Sequence, residues 1–486
     1  MGLAVAALLS ACAGSPAQPA APTSSAPKVS YAITFDANLL RARVRACFTG
    51  FRPRVLRRVT AGAERLWVPD PSFPQQLAMR RARIEIRRPL ATGCVHYGVD
   101  LARDAGDQRA LLRMGHELLV SPGVLLWRPA VLPEGLETRV SIDATGYHVS
   151  TSWPEGPVDA SLYRYAGNIA LTRAAPARYE EGGLTVEVAR FIGELDASAA
   201  ELERWLRVAV QSAQTIGGRF PTTRLHVVIV PLGAGRSPVA FGLVRRGGGA
   251  SVLLFPHQNA SGDALMRDWV AIHELSHLTV PRLDGDRWLS EGYATYMQEY
   301  LRMRLGLFTP QQGLQRMRDR FVTNRLGAGM PLAEESDAMS RTGSFAHVYW
   351  CGAAFFLELD IALHRRGTSL AAIVDQQPRE GPMGYDGAQW LEAFDATIGA
   401  PLAVPLMHRY GRYERIPDPG PIFDALGVRL EDERVVLLPE GEGAELRRRL
   451  FGETVDADAP RADAPAAPTN ERDARSRSRE AGRVGR

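Results

Sequence analysis

The sequence lacks several features that would place it in a specialised class of protein. Lys28 is the only lysine among 58 lysine and arginine residues. No run of about eighteen apolar residues, the length that spans a bilayer, occurs in the chain. Four cysteines in 486 residues are too few for a disulfide scaffold. The formal net charge is +4, and the last twelve residues, with five arginines against Glu480, account for it. The folded body is therefore near neutral and offers no basic patch for nucleic acid.

The composition, 45% hydrophobic and 23% charged, is that of a globular protein with a sizeable core, and the length allows about three domains. At the N-terminus an apolar run from Leu3 to Leu9 leads through a Ser-Ala pair into Cys12. This pattern resembles the cleavage box of bacterial lipoproteins, although the run lacks a preceding Lys or Arg. Residues 14–27 follow as a Ser/Pro/Ala-rich tether. We therefore expect lipid anchoring through Cys12 in the bacterial cell envelope, facing the periplasm or in the outer membrane.

Short alternating runs dominate residues 29–175, as between Leu40 and Phe48, where arginine stands at every second place. Period-two alternation broken by Gly, Pro and Asp predicts an antiparallel β-sandwich whose arginines form a solvated face. Cys47 and Cys94 fall in two of these strands. They can pair in an exported protein, but the sequence leaves that pairing open.

From residue 176 onward, strands begin to alternate with helices. Ser198 and Glu201 form the capping box of a helix predicted over 199–216. Thr309 and Pro310 supply the cap and first-turn proline of another helix, which ends near residue 321. The fold class is therefore α+β, and the chain becomes mostly helical after residue 263.

One stretch carries a pattern with chemical meaning, the sequence H-E-L-S-H at residues 273–277. The apolar spacing around it, with Asp263 as cap and Pro281 as stop, predicts a helix. Side chains four residues apart share one face of a helix. His273 and His277 can therefore present two imidazoles to one metal ion.

A third ligand is required, because zinc in a catalytic site takes three protein ligands and leaves a fourth position for water. Glu291, fourteen residues after His277 and near the start of a helix predicted over 289–305, is the best candidate. Glu274 is then placed to act as general base. The alternative, that the two histidines are ordinary hydrogen-bonded core residues, is disfavoured. The motif lies on a predicted helix of the right polarity and is followed by a second helix that carries a glutamate.

The segments HELSH and WLSEGYATYMQEY resemble the gluzincin metallopeptidases. The short gap before the glutamate is more similar to the glycyl-aminopeptidase-like family than to the membrane-alanyl aminopeptidases. The segment from Val348 to Ala353 is similar to the helix that carries the family's transition-state tyrosine. The resemblance covers about residues 180–412, and no PDZ module, common in that family, is recognisable.

The resemblance implies a two-lobed thermolysin-like catalytic domain with a mostly helical C-terminal lobe and one zinc ion at the bottom of the cleft. It implies three zinc ligands, one general base and one donor to the oxyanion: His273, His277 and Glu291, then Glu274, then Tyr349. His347 is a rival to Tyr349, but residues two apart lie on different sides of a helix. Thr295 can orient a ligand by a hydrogen bond, or it can be a capping or exposed residue.

In the aminopeptidase branches of these families, a glycine-containing motif on the edge strand supplies a glutamate that binds the substrate's free amino group. The matching segment here is 241–246, where Val244 or Arg245 stands in place of the acid. We therefore expect an endopeptidase, or a preference for substrates with an acidic group near the cleft. Glu334 or Glu335 could supply the missing acid from elsewhere.

The predicted boundaries are a leader 1–12, a tether 13–28, a β-sandwich 29–175, a catalytic domain 176–412, an extension 413–454 and a disordered tail 455–486. The expected protein is a lipid-anchored zinc peptidase that acts on peptides or proteins and has no nucleic-acid partner. Two alternatives remain. One is an aminopeptidase of the glycyl-aminopeptidase type, and the other is a catalytically silent envelope scaffold, which would not need the base Glu274.

Overall fold

The structure is a computed structural model that describes residues 26–87, 93–107, 110–153, 155–377 and 384–452. The predicted leader with Cys12 and the predicted tail 455–486 lie outside the described residues. Within these ranges the chain forms 20 strands and 15 helices, and its strands assemble into five sheets. The predicted α+β class is confirmed at this level.

Residues 28–172 form strands with three one-turn helices between them. The strands are β1 Lys28–Phe35, β2 Arg41–Thr49, β3 Val55–Arg57, β4 Trp67–Pro69, β5 Leu77–Arg80, β6 Arg83–Ile86, β7 Cys94–Asp100, β8 Leu111–Met114, β9 Glu117–Val120, β10 Arg128–Pro129, β11 Glu137–Asp143, β12 His148–Ser150 and β13 Ile169–Thr172. The helices are α1 Ala63–Leu66, α2 Pro122–Leu125 and α3 Leu162–Tyr165.

These strands make three sheets, with the orders β11-β1-β2-β7-β4, β10-β3-β6-β5 and β12-β13-β9-β8. The predicted solvated arginine face is confirmed in β2, where Arg41, Arg43 and Arg45 are exposed and the residues between them are buried. The expectation of a purely antiparallel sandwich is wrong, because β1 and β11 pair in parallel. The alternation of apolar and polar residues shows which face of a strand is buried. It does not show the direction of the neighbouring strand, which is a distant part of the chain.

Cys47 and Cys94 form a disulfide, which answers the question that the sequence left open. They are direct partners on the neighbouring strands β2 and β7, with Cα atoms 3.9 Å apart. Cys351, in contrast, is a buried free thiol.

Residues 177–256 form a mixed five-stranded sheet and one long helix. The elements are β14 Ala177–Glu181, β15 Leu184–Arg190, α4 Ala199–Gln214, β16 Arg224–Ile229, β17 Val239–Arg245 and β18 Ala250–Pro256. The order is β14-β15-β16-β18-β17, so β17 is an antiparallel edge strand. The predicted capping box of α4 is confirmed, with Ser198 and Glu201 bonded reciprocally. One face of the sheet packs on α4. The other face packs on residues of the preceding strands, such as Leu119 of β9 and Ala170 of β13.

The chain is mostly helical after residue 261. The elements are α5 Gly262–Arg267, α6 Val270–His277, α7 Arg287–Arg304, α8 Pro310–Thr323, α9 Leu332–Thr342, α10 Phe345–Arg365, α11 Leu370–Gln376, α12 Gly387–Ile398, α13 Ala403–Gly411, α14 Gly420–Ala425, β19 Val428–Glu431, β20 Arg434–Leu437 and α15 Glu442–Phe451. The cap Thr309 and the first-turn Pro310 of α8 are confirmed. Leu450 and Phe451 of α15 share one hydrophobic core with α7 and α10.

Helices α7 and α10 cross where two glycines meet. A Cβ on Gly352 would lie 2.3 Å from the carbonyl oxygen of Trp288, and one on Gly292 would lie 2.5 Å from the Gly352 backbone. Any side chain at either position would force the helices apart. This contact holds Glu291, beside the first glycine, close to Tyr349, three residues before the second.

Within the described ranges, α10 alone is long and apolar enough to cross a membrane. Because 78% of its most apolar window is buried inside the protein, the helix has the character of a core helix, and its length and composition are weak evidence for a membrane span.

Candidate metal centre

The helix that carries H-E-L-S-H is shorter than predicted. Instead of one helix that begins at Asp263, α5 begins after Ser261, whose hydroxyl accepts a hydrogen bond from the Ala264 N–H. The chain then breaks before α6, where the Asp268 carboxylate accepts a hydrogen bond from the Val270 N–H, 2.7 Å away. Asp268 therefore satisfies an amide that a continuous helix would have bonded internally. Apolar spacing continues across the break, so the sequence pattern does not reveal it.

Three candidate ligands converge at the end of α6 and the start of α7. His273, His277 and Glu291 each offer one ligand atom, and these atoms lie within 4.8 Å of one another. The Nε2 atoms of His273 and His277 lie 3.4 and 3.5 Å from Oε2 of Glu291. A tetrahedral zinc ion with bonds of about 2.0–2.1 Å holds its ligand atoms about 3.3–3.4 Å apart. The donor set and the two histidine-to-glutamate distances therefore fit zinc.

Each imidazole is also contacted at its other nitrogen. Nδ1 of His273 lies 2.9 Å from Oε1 of Gln298, and Nδ1 of His277 lies 3.4 Å from the hydroxyl of Ser290. An amide oxygen can only accept a hydrogen bond, so the Gln298 contact requires a proton on Nδ1 of His273. The lone pair on Nε2 is then directed toward Glu291 and is free to bind a metal.

The carboxyl group of Glu291 is ionised in this setting. Burial alone would raise its pKa, but the contacts with His273 and His277 outweigh burial and hold the pKa well below its usual range. Conversely, burial would lower the pKa of His273, but the contact with Glu291 raises it. A partly buried anion between two imidazoles has the charge and donor atoms that a divalent cation requires.

Glu274 lies beside this group and outside the ligand set. Burial raises the pKa of its carboxyl group, while His273 and His277 oppose that effect. The carboxylate also accepts a hydrogen bond from the N–H of Val244 on the edge strand β17. A carboxyl group with a raised pKa next to a metal site is suited to take up and release a proton.

Tyr349 of α10 lies against the first histidine. Its ring is stacked on that of His273, with 6.1 Å between ring centroids and 14° between planes. Burial, the charges of Glu291 and Glu274, and a hydrogen bond to Glu291 raise the pKa of the phenol well above its usual value, although Arg287 opposes them. The hydroxyl is therefore protonated at neutral pH and able to donate a hydrogen bond.

His347 and Thr295 are not part of this arrangement. Nδ1 of His347 lies 2.9 Å from the Asn324 carbonyl oxygen, and Nε2 lies 3.6 Å from Oε2 of Glu335. The structure thus brings Tyr349, and not its rival, to the histidines. The hydroxyl of Thr295 is buried and has no hydrogen-bond partner among the described residues, so it does not orient a ligand.

The two acids suggested as substitutes for the amine-binding glutamate have other environments. Glu335 is fully buried and accepts a hydrogen bond from the Ala328 N–H, 2.8 Å away. It is therefore not accessible to a substrate. Glu334 is exposed on α9, and no contact connects it with the histidines.

The edge strand β17 presents only Val244, one of the two residues that the sequence suggested, toward the metal helix. Gly242 and Val244 lie on the side of α6, while Phe241 and Leu243 pack on the opposite face of the sheet. Because side chains alternate along a strand, Arg245 belongs to the opposite face as well. The idea that Arg245 occupies the place of an amine-binding acid is therefore not supported.

Arg246 has a structural position at the end of the metal helix. Its guanidinium donates hydrogen bonds to the carbonyl oxygens of His277 and Val280, the latter at 2.6 Å. Burial, together with the charge of Arg282, lowers the pKa of Arg246 to about 10. Arg246 therefore remains charged at neutral pH and binds carbonyl groups at the C-terminal end of α6.

Sequence reasoning missed the roles of Gln298 and Arg246. Gln298 had a usable signal, because it lies seven residues, about two helical turns, after Glu291 and so on the same face of α7. Arg246 had no such signal in the sequence, because its partners lie more than thirty positions away on another element.

Comparison with known proteins relates the fold to that of the M1 zinc metallopeptidases. An aminopeptidase N family protein from Idiomarina loihiensis matches with a TM-score of 0.61 and 14% identity, over 83% of this chain and 79% of that chain. An M1 zinc metallopeptidase from Deinococcus radiodurans, bound to a Tyr-Ser-Ala substrate, matches with a TM-score of 0.51 and 16% identity, over 81% and 95%. No family model and no curated protein matches the sequence. The likeness is therefore one of fold.

Proposed function

We propose that this protein is a zinc-dependent peptidase. The observation that carries the proposal is the convergence of His273, His277 and Glu291 within 4.8 Å, with both histidine-to-glutamate distances close to the edge of a zinc tetrahedron. The buried carboxyl group of Glu274 lies next to them on a fold similar to M1 zinc metallopeptidases. When bound, zinc supplies a water of lowered pKa and polarises the scissile carbonyl.

Glu274 is the proposed general base. Its raised pKa suits it to take a proton from the attacking water and to deliver that proton to the leaving amine. The N–H of Val244 holds its carboxylate in place, so the base needs little reorganisation. Tyr349 is the proposed donor to the oxyanion. Its phenol stays protonated and lies beside His273, and a donor aimed at developing charge lowers the barrier.

The test measures zinc content and peptide hydrolysis in the same preparations. His273→Ala, His277→Ala and Glu291→Ala should each lose zinc and activity. Glu274→Gln should keep zinc and the fold but lose hydrolysis by about 10²-fold or more. Stoichiometric zinc in a His273→Ala, His277→Ala double variant would contradict the ligand assignment. A protein that binds zinc but hydrolyses no member of an unbiased peptide library would instead be the silent scaffold.

We further propose that the enzyme acts as an endopeptidase. Strand β17, Val239–Arg245, carries no carboxylate, and Glu335 is inaccessible, so neither the edge strand nor Glu335 supplies an acid for a substrate's free amino group. The second candidate is an aminopeptidase, which the fold of the aminopeptidase N family protein favours. Matched peptides with free and acetylated N-termini decide between them. Release of single N-terminal residues from the free peptides alone would establish the aminopeptidase.

The relationship to the glycyl-aminopeptidase-like family and the lipid anchor remain proposals as well. The first rests on the fourteen-residue gap between His277 and Glu291, and the second on the lipoprotein-like segment that ends at Cys12. Cys12→Ala should move the protein from the membrane fraction to the soluble envelope fraction. Full retention of that variant on membranes would exclude acylation of Cys12 as the anchor.

A further inference from the structure

We propose that Gln298 is a positioning residue that sets the tautomer of His273, and that Glu299 fixes the orientation of the Gln298 amide. Arg302 and Arg316 in turn hold Glu299. We call Gln298, Glu299, Arg302 and Arg316 the polar relay. The inference deepens the proposed function, because it concerns how this chain prepares one of its proposed zinc ligands.

The first step of the relay is the contact between the amide and the imidazole. Gln298 is 4% exposed, and its Oε1 lies 2.9 Å from Nδ1 of His273. Its Nε2 donates a hydrogen bond to Oε1 of Glu299 over 3.2 Å. An ionised carboxylate can only accept, so the NH₂ group of the amide must face Glu299 and the amide oxygen must face His273.

The second step is the clamp that keeps Glu299 ionised. Its side chain is fully buried, with Arg302 Nη1 3.4 Å from Oε1 and Arg316 Nε 3.2 Å from Oε2. Burial alone would raise the pKa of Glu299, but the charges of Arg316 and Arg302 outweigh it and the pKa lies below its usual value. The carboxylate therefore remains an acceptor at neutral pH.

The relay is also anchored outside α7. The buried Arg302 donates a hydrogen bond to the carbonyl oxygen of Arg267, the last residue of α5. The Phe308 ring packs against both cations, with its centroid 4.0 Å from the guanidinium carbon of Arg302 and 5.0 Å from that of Arg316. Residues on α5, α7 and α8 thus hold the amide in one orientation.

The orientation matters because a primary amide has two. If the Gln298 amide were turned over, its NH₂ group would face Nδ1 of His273, which would then have to accept. The proton would move to Nε2, and that nitrogen could no longer bind zinc. The amide is neutral, so the relay achieves this without placing a second negative charge next to His273.

The experiment uses the full-length protein with three variants. Gln298→Met removes both hydrogen bonds at similar volume. Gln298→Glu, once its carboxyl group takes up a proton and donates it to Glu299, keeps an acceptor facing His273. Thr295→Val is the matched control on the same helix, since that hydroxyl has no partner among the described residues. Zinc affinity is measured by competition with a chelator. The tautomer of His273 is read from imidazole ¹⁵N chemical shifts of the metal-free protein at a pH where the ring is neutral, and thermal unfolding checks the fold.

Gln298→Met should weaken zinc binding by about 10- to 100-fold. The ¹⁵N chemical shifts of His273 should then no longer show a single tautomer with its proton on Nδ1. Gln298→Glu should restore the affinity to at least the parent value, and Thr295→Val should match the parent throughout. A parent protein whose His273 carries its proton on Nε2 would overturn the proposal, as would a folded Gln298→Met variant with parental zinc affinity. If the parent bound no zinc, the proposed function would fail, whereas the tautomer readout would still decide the role of the relay.

Discussion

Gly242 of β17 lies against Glu274 of α6 so closely that a Cβ at position 242 would come within 2.5 Å of Cγ of the glutamate. The same atom would lie 2.7 Å from Cγ1 of Val270. The N–H of Val244 bonds the Glu274 carboxylate from the same strand. The edge strand therefore fixes both the position and the hydrogen bonding of the proposed base, and only glycine fits where strand and helix touch.

Replacement of Gly242 by alanine should impair catalysis without loss of zinc. The added methyl must displace Glu274 or the strand, and a shift of about 1 Å at a catalytic group costs on the order of 10²-fold in rate. We expect kcat to fall by about that factor while zinc stoichiometry stays at the parent value. Gly233→Ala is the control, since a Cβ there meets no atom within 4 Å. A Gly242→Ala variant within twofold of the parent kcat would show that the contact is not critical.

Replacement of Arg246 by methionine should destabilise the metal helix. The variant leaves the carbonyl oxygens of His277 and Val280 without their donor, and an unsatisfied buried polar group costs about 1–3 kcal/mol. We expect the free energy of unfolding in denaturant to fall by an amount in this range, with weaker zinc binding because His277 is at the frayed end. Arg236→Met, which replaces an exposed arginine, should change neither the free energy of unfolding nor the zinc affinity. Unchanged stability of Arg246→Met would show that the two hydrogen bonds contribute nothing measurable.

The parts of the site that the sequence predicted are those encoded by local spacing. His273 and His277 share a face because four residues make about one helical turn, and the helix of Glu291 is marked by its helix-forming residues. The meeting of α7 with α10 depends on Gly292 and Gly352, sixty residues apart. Local periodicity does not encode such a contact, so only the resemblance pointed to Tyr349.

The parts that were missed depend on partners distant in sequence. Alternation predicted the buried and exposed faces of β2 correctly, but the parallel pairing of β1 with β11 is a property of two remote segments. Arg246 was considered as part of a substrate-binding motif, whereas its partners are carbonyl groups on α6. A sequence shows that an arginine is present, but it does not show which oxygen atoms the arginine will reach.

Loss of the Cys47–Cys94 disulfide should destabilise the first sheet and leave the metal centre intact. The bond closes a segment with a sequence separation of 47, and removal of a native disulfide typically costs about 2–4 kcal/mol of stability. We expect a lower Tm for a Cys47→Ala, Cys94→Ala variant and for the parent under reducing conditions, with parental zinc affinity in both. If zinc affinity and stability fell together, the sheet and the metal centre would form one cooperative unit.

His226 gives the protein a predictable sensitivity to acid. Its ring is completely buried, with Nδ1 3.2 Å from the Ser251 hydroxyl and Nε2 without a hydrogen-bond partner among the described residues. Burial lowers its pKa to about 4; the charge of Glu187 opposes this effect, and that of Arg224 adds to it. The folded state therefore resists protonation of this ring, whereas the unfolded chain binds the proton near pH 6.5.

The sign of the pH effect follows from this difference. A folded pKa below the unfolded one contributes stability that is complete above about pH 6.5 and is lost as the pH falls toward 4, up to about 3 kcal/mol. The pKa of Glu187 is also lowered, as the Ser150 hydrogen bond and the charges of Arg224 and Arg178 outweigh burial. The contribution of Glu187 to stability is lost only below its ordinary pKa, near 4.5. The effect of His226 sets in at higher pH, so the two effects can be measured separately.

The measurement is the free energy of unfolding in denaturant between pH 7.5 and 4.5. The parent should lose stability steadily below about pH 6.5, whereas His226→Asn, which cannot titrate, should show a much flatter profile in this window. His148→Asn, at an exposed histidine, should follow the parent curve and serves as the control. A buried neutral imidazole cannot be protonated without a loss of stability. Parallel profiles for the parent and His226→Asn would therefore mean that His226 does not cause the acid sensitivity.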